Sequence, residues 1–346
     1  MTPAPDPAAD VYEGRDGWLF LIRGNNRVLQ QYGRPGVSRG TLWRWRRIIE
    51  TRVRRCAGLG ATYLHALAPE KLTVYPEWAE GLVFDPARAP SLRLARWLTA
   101  SPGARAWGDL TGAFRAARDG PPLYLRTDTH WTFDGCALAY RTILSRMGVP
   151  PREDIEARRE RTALPVSGDL GRKYAPHHTE LAEGSAFASA ARRVHANDLL
   201  REMEALGRGG DAHLGTHAVF RNDDPMADPR RLVIFGDSYA QHTARSPIAT
   251  LTALFADTFR EVHFLWSTGI DWAYLETVRP DFVLGEMAER FVIDVPPANI
   301  RIERLAELAR ERKLMGEITA MDSPSPAPPP PGAPASVPEA AGAAPR

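Results

Sequence analysis

The stretch Leu232-Val-Ile-Phe-Gly-Asp-Ser-Tyr239 decides the fold. Leu232–Phe235 is a continuous apolar run, too short for a helix, so both faces of the strand it predicts must be buried. Gly236-Asp237-Ser238 then breaks the run with turn-forming residues, and the spacing predicts a helix from about residue 239. Working outward, the same alternation recurs. Leu42, Trp45, Ile49, Val53 and Cys56 fall at helical spacing and predict a helix over 39–58. Ala61–Leu67 reads as a buried strand, 90–100 and 111–118 as helices, and Leu123–Arg126 as a short strand. Phe133–Met147 reads as a helix ended by Gly148. Val262–Trp266 and Asp281–Leu284 read as strands, and 302–315 as a final helix. Buried strands alternating with helices give an α/β fold, a mainly parallel sheet covered on both faces.

The chain has 346 residues, and 44 Lys+Arg against 42 Asp+Glu leave a net charge of +2. That balance argues against a dedicated nucleic-acid binder. No apolar run of about 18 residues is present, so no transmembrane segment is expected. The N-terminus, MTPAPDPAADVYEGRDG, lacks the basic and apolar regions of a signal peptide and reads as cytoplasmic. Cys56 and Cys136 are too few for a disulfide framework or a cysteine zinc site and read as buried apolar residues. Residues 1–10 read as a disordered leader, 11–320 as the folded domain and the Pro/Ala-rich 321–346 as a disordered tail. Residues 150–225, polar and weakly periodic, read as an insertion or long loops.

Two motifs carry chemistry. A serine on the turn after a buried strand stands at the carboxyl edge of the sheet, where Gly236 permits the tight turn and following N–H groups can hold an oxyanion. The alternative is that Asp237 or Ser238 caps a helix. The second motif is Asp128-Thr-His-Trp131. On extended backbone, residues i and i+2 point the same way, so Asp128 can hold one imidazole nitrogen of His130 and leave the other free as a base. A helix cap beside a packed histidine is the alternative. Metal ligation is disfavoured, because no companion His/Asp cluster has ligand spacing. Both motifs face the carboxyl edge, where open α/β sheets place their sites.

In this order, Gly14-Arg-Asp-Gly-Trp-Leu-Phe20, Ala68-Pro-Glu-Lys-Leu-Thr-Val-Tyr-Pro76, Asp128-Thr-His-Trp131, Gly168-Asp-Leu-Gly171, Gly236-Asp-Ser238 and Arg279-Pro-Asp-Phe-Val-Leu-Gly-Glu-Met-Ala-Glu-Arg290 resemble the SGNH hydrolase-like domain of the AlgJ and AlgX alginate O-acetyltransferases. The resemblance spans roughly residues 12–295. It implies a flavodoxin-like domain, transfer of acetyl groups to exopolysaccharide hydroxyls, and a triad of nucleophile Ser238, base His130 and orienting Asp128. It also implies a polysaccharide or oligosaccharide acceptor, an acetyl donor passed on by a membrane acyltransferase, and a periplasmic setting; the triad chemistry needs no cofactor or metal.

Around this triad, Tyr239 is expected to donate its N–H to the oxyanion, with Gly236 and Asp237 supporting the turn. Trp131, Arg126, Lys71 and Arg290 are candidates for substrate contact, each with a structural role as the alternative, and Glu289 is a candidate ion-pair partner for Arg290. His242, four residues after Ser238, shares its predicted helix face and reads as a polar helix residue. The six arginines from Arg44 to Arg55 read as a solvated face. Acetyl transfer, ester hydrolysis by the same groups, and a non-catalytic carbohydrate-binding or assembly role are the three functional readings.

Overall fold

The computed structural model describes residues 7–242 and 246–321. Its strands are β1 (Val11–Glu13), β2 (Leu19–Leu21), β3 (Thr62–Ala68), β4 (Trp107–Gly108), β5 (Ala163–Val166), β6 (Glu180–Glu183), β7 (Ala191–Ala196), β8 (His217–Asn222), β9 (Asp228–Gly236), β10 (Phe259–Trp266) and β11 (Phe282–Ala288). Seven of them form one sheet in the order β4-β3-β11-β9-β10-β8-β7. β4, β3, β11, β9 and β10 pair in parallel, whereas β8 runs antiparallel to both β10 and β7. The expected mainly parallel sheet is present.

The alternation of side chains along β9 explains the layering. Leu232 and Ile234 join one core, with Phe114, Phe133, Ile143 and Phe255 from the helices Leu110–Ala117, Phe133–Met147 and Leu251–Thr258. Val233 and Phe235 join the other, with Trp45, Ile49, Leu94 and Leu275 from Arg39–Gly58, Pro90–Leu98 and Trp272–Val278. Helix boundaries follow local chemistry. Ser38 Oγ accepts from Thr41 N at 3.0 Å and caps the helix it precedes. Thr132 does the same for Gly135 N at 3.2 Å, and Gly148 closes that helix with φ +66°. Cys56 and Cys136 are free and buried. Of the six arginines from Arg44 to Arg55, Arg52 departs from the solvated face: it is buried, donating to Tyr63 Oη at 3.1 Å and to the Thr268 carbonyl at 2.7 Å.

Three expectations are corrected. No helix begins at 239: the chain turns at Ser238–Tyr239, and the next helix starts at Leu251. Pro247 bars a continuous helix through that stretch. Leu123–Arg126 forms no strand beyond the single bridge Tyr124–Trp131. Residues 150–225 supply β7 and β8 of the central sheet as well as the β5–β6 ribbon. Their weak periodicity reflects an edge: Arg192 to His195 of β7 are exposed, and charge blunts an open sheet edge. Pro7–Asp10 forms a 3-10 turn, and the final helix is Ile302–Met321. The rest of the leader and tail, 1–6 and 322–346, lies outside the described residues.

Ile234 is fully buried at the sheet centre. Ile234→Ala is expected to lower unfolding free energy by about 2–5 kcal/mol, measured by urea denaturation, with an unchanged denaturant slope.

Candidate active site

The site is built where three neighbouring strands end. Gly285 of β11 lies opposite Phe235 of β9, so Met287 and Ala288 run on past Gly236, the last residue of β9. The turn after β9 leans on them. Asp237 accepts hydrogen bonds from the Tyr239 N–H at 3.0 Å and, with its other oxygen, from the Ala288 N–H at 2.6 Å. The Asp237 N–H donates to Glu286 Oε2 at 3.3 Å. Burial raises the Asp237 carboxyl, and burial with Asp237's charge raises that of Glu286 well above its usual range. A side chain at Gly236 would come within 2.9 Å of the Ala240 Cβ and 3.1 Å of Glu286 Oε2, so the turn needs glycine. Ser238 stands half-buried on this turn. The Tyr239 N–H is thus engaged by Asp237, which corrects its expected oxyanion role. With no helix following Ser238, no helix dipole stands behind it either.

The Asp-x-His motif lies on a segment, residues 125–130, that has almost no sheet to satisfy its backbone. Side chains do so instead. The Lys71 ammonium donates to the carbonyls of Leu125 (3.1 Å) and Arg126 (3.0 Å). Glu180 accepts from the N–H groups of Arg126 (3.0 Å) and Thr127 (2.7 Å) and from the Thr127 hydroxyl (2.7 Å). The Thr127 carbonyl accepts from the N–H groups of Leu170 and Gly171. Tyr239 Oη donates to the Thr129 carbonyl at 2.7 Å. Glu180 carries no motif signature; only its sequence-distant partners reveal it.

Within this frame the Asp128 carboxylate accepts from the His130 N–H at 2.9 Å and meets His130 Nδ1 at 2.6 Å. Its other oxygen accepts from the Asp169 N–H at 2.8 Å. The Asp128 side chain is 3% exposed and that of His130 12%. Burial alone would raise the Asp128 carboxyl, but His130 and the N–H donors outweigh it and hold it well below the usual range. For His130, burial is outweighed by Asp128, and the imidazole is raised above its ordinary 6.5. His130 Nε2 makes no hydrogen bond among the described residues. The His130 ring lies 4.9 Å from that of Tyr239, the neighbour of Ser238, but no hydrogen bond joins Ser238 to His130. Asp128, His130 and Asp169 also bring three candidate metal-ligand atoms within 4.8 Å. An ion there would have to displace the N–H and O–H donors these carboxylates hold.

The other candidates divide by burial. Trp131 is fully buried between Phe114 and Tyr239 and cannot stack on a sugar. Lys71 is buried under Trp18 and Phe20, and burial pushes its amine down to about 8; it is a strut for residues 125–126. Arg290 is buried and pairs with Glu70 at 2.8 Å. Glu289, its expected partner, instead accepts from Glu70 N, Ser91 N and the Thr73 hydroxyl. His242 is buried near Phe264. Arg126 remains at the surface, in a 790 Å³ cleft with Trp18, Trp78, Tyr124, Glu180 and Leu181. That cleft shares Leu125 with a 270 Å³ cleft that reaches Asp128.

With this geometry described, comparison with known proteins adds lineage. The family model described as "SGNH hydrolase-like domain, acetyltransferase AlgX" matches residues 11–199, more than half the chain. The probable alginate O-acetylase AlgJ of Pseudomonas aeruginosa is 33% identical over 153 residues, 41% of this chain. The matched stretch spans only 33% of that relative. The O-acetyltransferase domain of Pseudomonas putida AlgJ superposes with a TM-score of 0.50 at 16% identity, over 87% of this chain and 99% of that one. Bacillus cereus PatB1 with a sulfonyl adduct superposes with a TM-score of 0.57 at 15% identity, over 85% and 98%. At such identities the superpositions establish the fold.

Gly168 is where the Gly168–Gly171 loop meets the Asp-x-His segment. A Cβ there would sit 2.3 Å from the Thr127 carbonyl oxygen and 2.4 Å from the Asp128 Cβ. Gly168→Ala is expected to cost about 1–3 kcal/mol through overpacking, read as a lowered thermal midpoint. An unchanged midpoint would show that residues 127 and 128 yield freely.

Proposed function

The chain belongs to the AlgX family of SGNH hydrolase-like acetyltransferase domains, and we propose that it is a serine-dependent O-acetyltransferase acting on polysaccharide hydroxyls. The observation that carries this reading is the Asp128–His130 pair at 2.6 Å, set against the turn that presents Ser238. His130 Nε2 removes the proton from Ser238 Oγ as Oγ attacks the carbonyl carbon of an acetyl ester. The Ser238 N–H, which makes no hydrogen bond among the described residues, stabilises the developing oxyanion. The tetrahedral intermediate collapses, the leaving oxygen takes the proton from His130, and an acetyl-serine remains. A sugar hydroxyl then gives its proton to His130 and attacks the acetyl carbon; the bond to Ser238 Oγ breaks, Oγ takes the proton back from His130, and the acetylated sugar leaves. Asp128 keeps the imidazole in the tautomer with Nδ1–H and stabilises its charged form.

Two further features favour a polymeric acceptor. The clefts that share Leu125 extend from Asp128 past Arg126 to the partly exposed Trp78, over whose ring Arg15 lies. The AlgJ relative is named as an alginate O-acetylase. On this reading the acetyl donor is an ester delivered by a membrane acyltransferase, and the setting is periplasmic.

Intact-mass measurement after incubation with p-nitrophenyl acetate tests the intermediate. Wild type is expected to gain one acetyl group and Ser238→Ala none. Full turnover by Ser238→Ala would overturn the mechanism, and nitrophenol release without sugar acetylation would make the enzyme an esterase. The base must be neutral, and His130 is raised above 6.5. The rate is therefore expected to rise with pH through a midpoint above 6.5 and to be lost in acid; a pH–rate profile of kcat/KM checks this.

A further inference from the structure

Acyl transfer as described gives no task to Asp169, yet Asp169 touches both sides of the residue that separates Asp128 from His130. Its Oδ1 accepts from the Thr129 N–H at 2.7 Å and its Oδ2 from the Thr129 hydroxyl at 2.6 Å. Its own N–H donates to the free oxygen of Asp128 at 2.8 Å. The Thr129 hydroxyl lies 3.4 Å from His130 Nδ1. One residue, forty positions along the chain from Thr129, therefore grips the peptide between acid and base and also the acid itself.

Resting on the reading of His130 as the base, we propose that Asp169 is a positioning residue of this site: it fixes Thr129 so that the imidazole stays on Asp128, and it places a second carboxylate behind the cation that forms during acylation. A turn cap would need only the geometry of these hydrogen bonds. The charge is the part that distinguishes the proposal. Asp169 acts on His130 in the same sense as Asp128, stabilising the protonated ring, while Arg290 acts in the opposite sense. Lys71 and Tyr239 also feel the charge of Asp169, and Asp237 feels that of His130. Burial and the neighbouring Asp128 push the Asp169 carboxyl up, and the two Thr129 hydrogen bonds pull it back.

Asp169→Asn keeps an acceptor for the Thr129 N–H and a polar partner for its hydroxyl but removes the charge. The experiment is an NMR titration of the histidine rings in wild type and Asp169→Asn, with the His130 signal assigned from His130→Gln. The His130 midpoint is expected to fall by about one pH unit in the variant. The acid limb of p-nitrophenyl acetate turnover should move down with it, and the plateau rate should drop about tenfold. A folded Asp169→Asn with an unmoved midpoint would overturn the proposal. Should that variant fail to fold, Thr129→Val cuts only the hydroxyl contact. It is expected to slow acylation several-fold with the limb in place, and a full rate would overturn the positioning role. Absence of turnover in wild type would refute the acyl-transfer reading, while the midpoint would still decide on Asp169.

Discussion

Every strand that reaches the carboxyl edge of a parallel sheet leaves backbone N–H groups with no strand to receive them, and at a site shielded from water each needs another acceptor. Here buried carboxylates take that part. Asp237 holds Tyr239 and Ala288, Glu289 holds Glu70 and Ser91, Glu180 holds Arg126 and Thr127, and Asp169 holds Thr129. Each is a charge-assisted hydrogen bond, stronger than a neutral one, and together they turn irregular segments into fixed platforms. The arrangement concentrates acids, and the cations Lys71, Arg290 and His130 sit among them. Removing one acid would strand both its donors and a cation, so substitutions here act on the fold and on the chemistry together.

This explains why the motifs around the site contain so many residues with no reacting role. Lys71, in the Ala68-Pro-Glu-Lys segment, and Arg290, after β11, are candidates for substrate contact on sequence. In the fold both are buried and spent on internal partners. The surface left to a substrate is charge-paired: Arg126 faces Glu180 at 3.8 Å, and Arg159 faces Glu183 at 3.1 Å. In each pair one side chain is buried: Glu180 is 6% exposed and Arg159 2%.

Much of the architecture was legible because it depends on local chemistry. Thr132 and Gly148 bracket a helix, and Leu232–Phe235 can only be a strand buried on both faces. The i, i+2 spacing of Asp128 and His130 makes their pairing one of two readings of that motif. Other features are decided by residues far apart in the chain. Nothing near Glu180 or Asp169 indicates that they receive the backbone of residues 126–129. Trp131 beside a base suggested a sugar platform, yet its ring closes the core under Tyr239. The helix expected after Ser238 failed because Asp237, whose side chain could have capped it, ties the turn to β11 instead.

The order of the sheet bears on how the chain folds as it is made. β11 lies between β3 and β9, though it is the last of the three to leave the ribosome. Until residues 282–288 have emerged, β3 and β9 cannot be joined through their shared neighbour. Two half-sheets must wait with apolar edges open. Ser238 and His130 can be synthesised, and locally folded, long before the strand that unites their platforms exists. A nascent chain stalled before β11 therefore presents an aggregation-prone edge, with the platforms of Ser238 and His130 not yet joined.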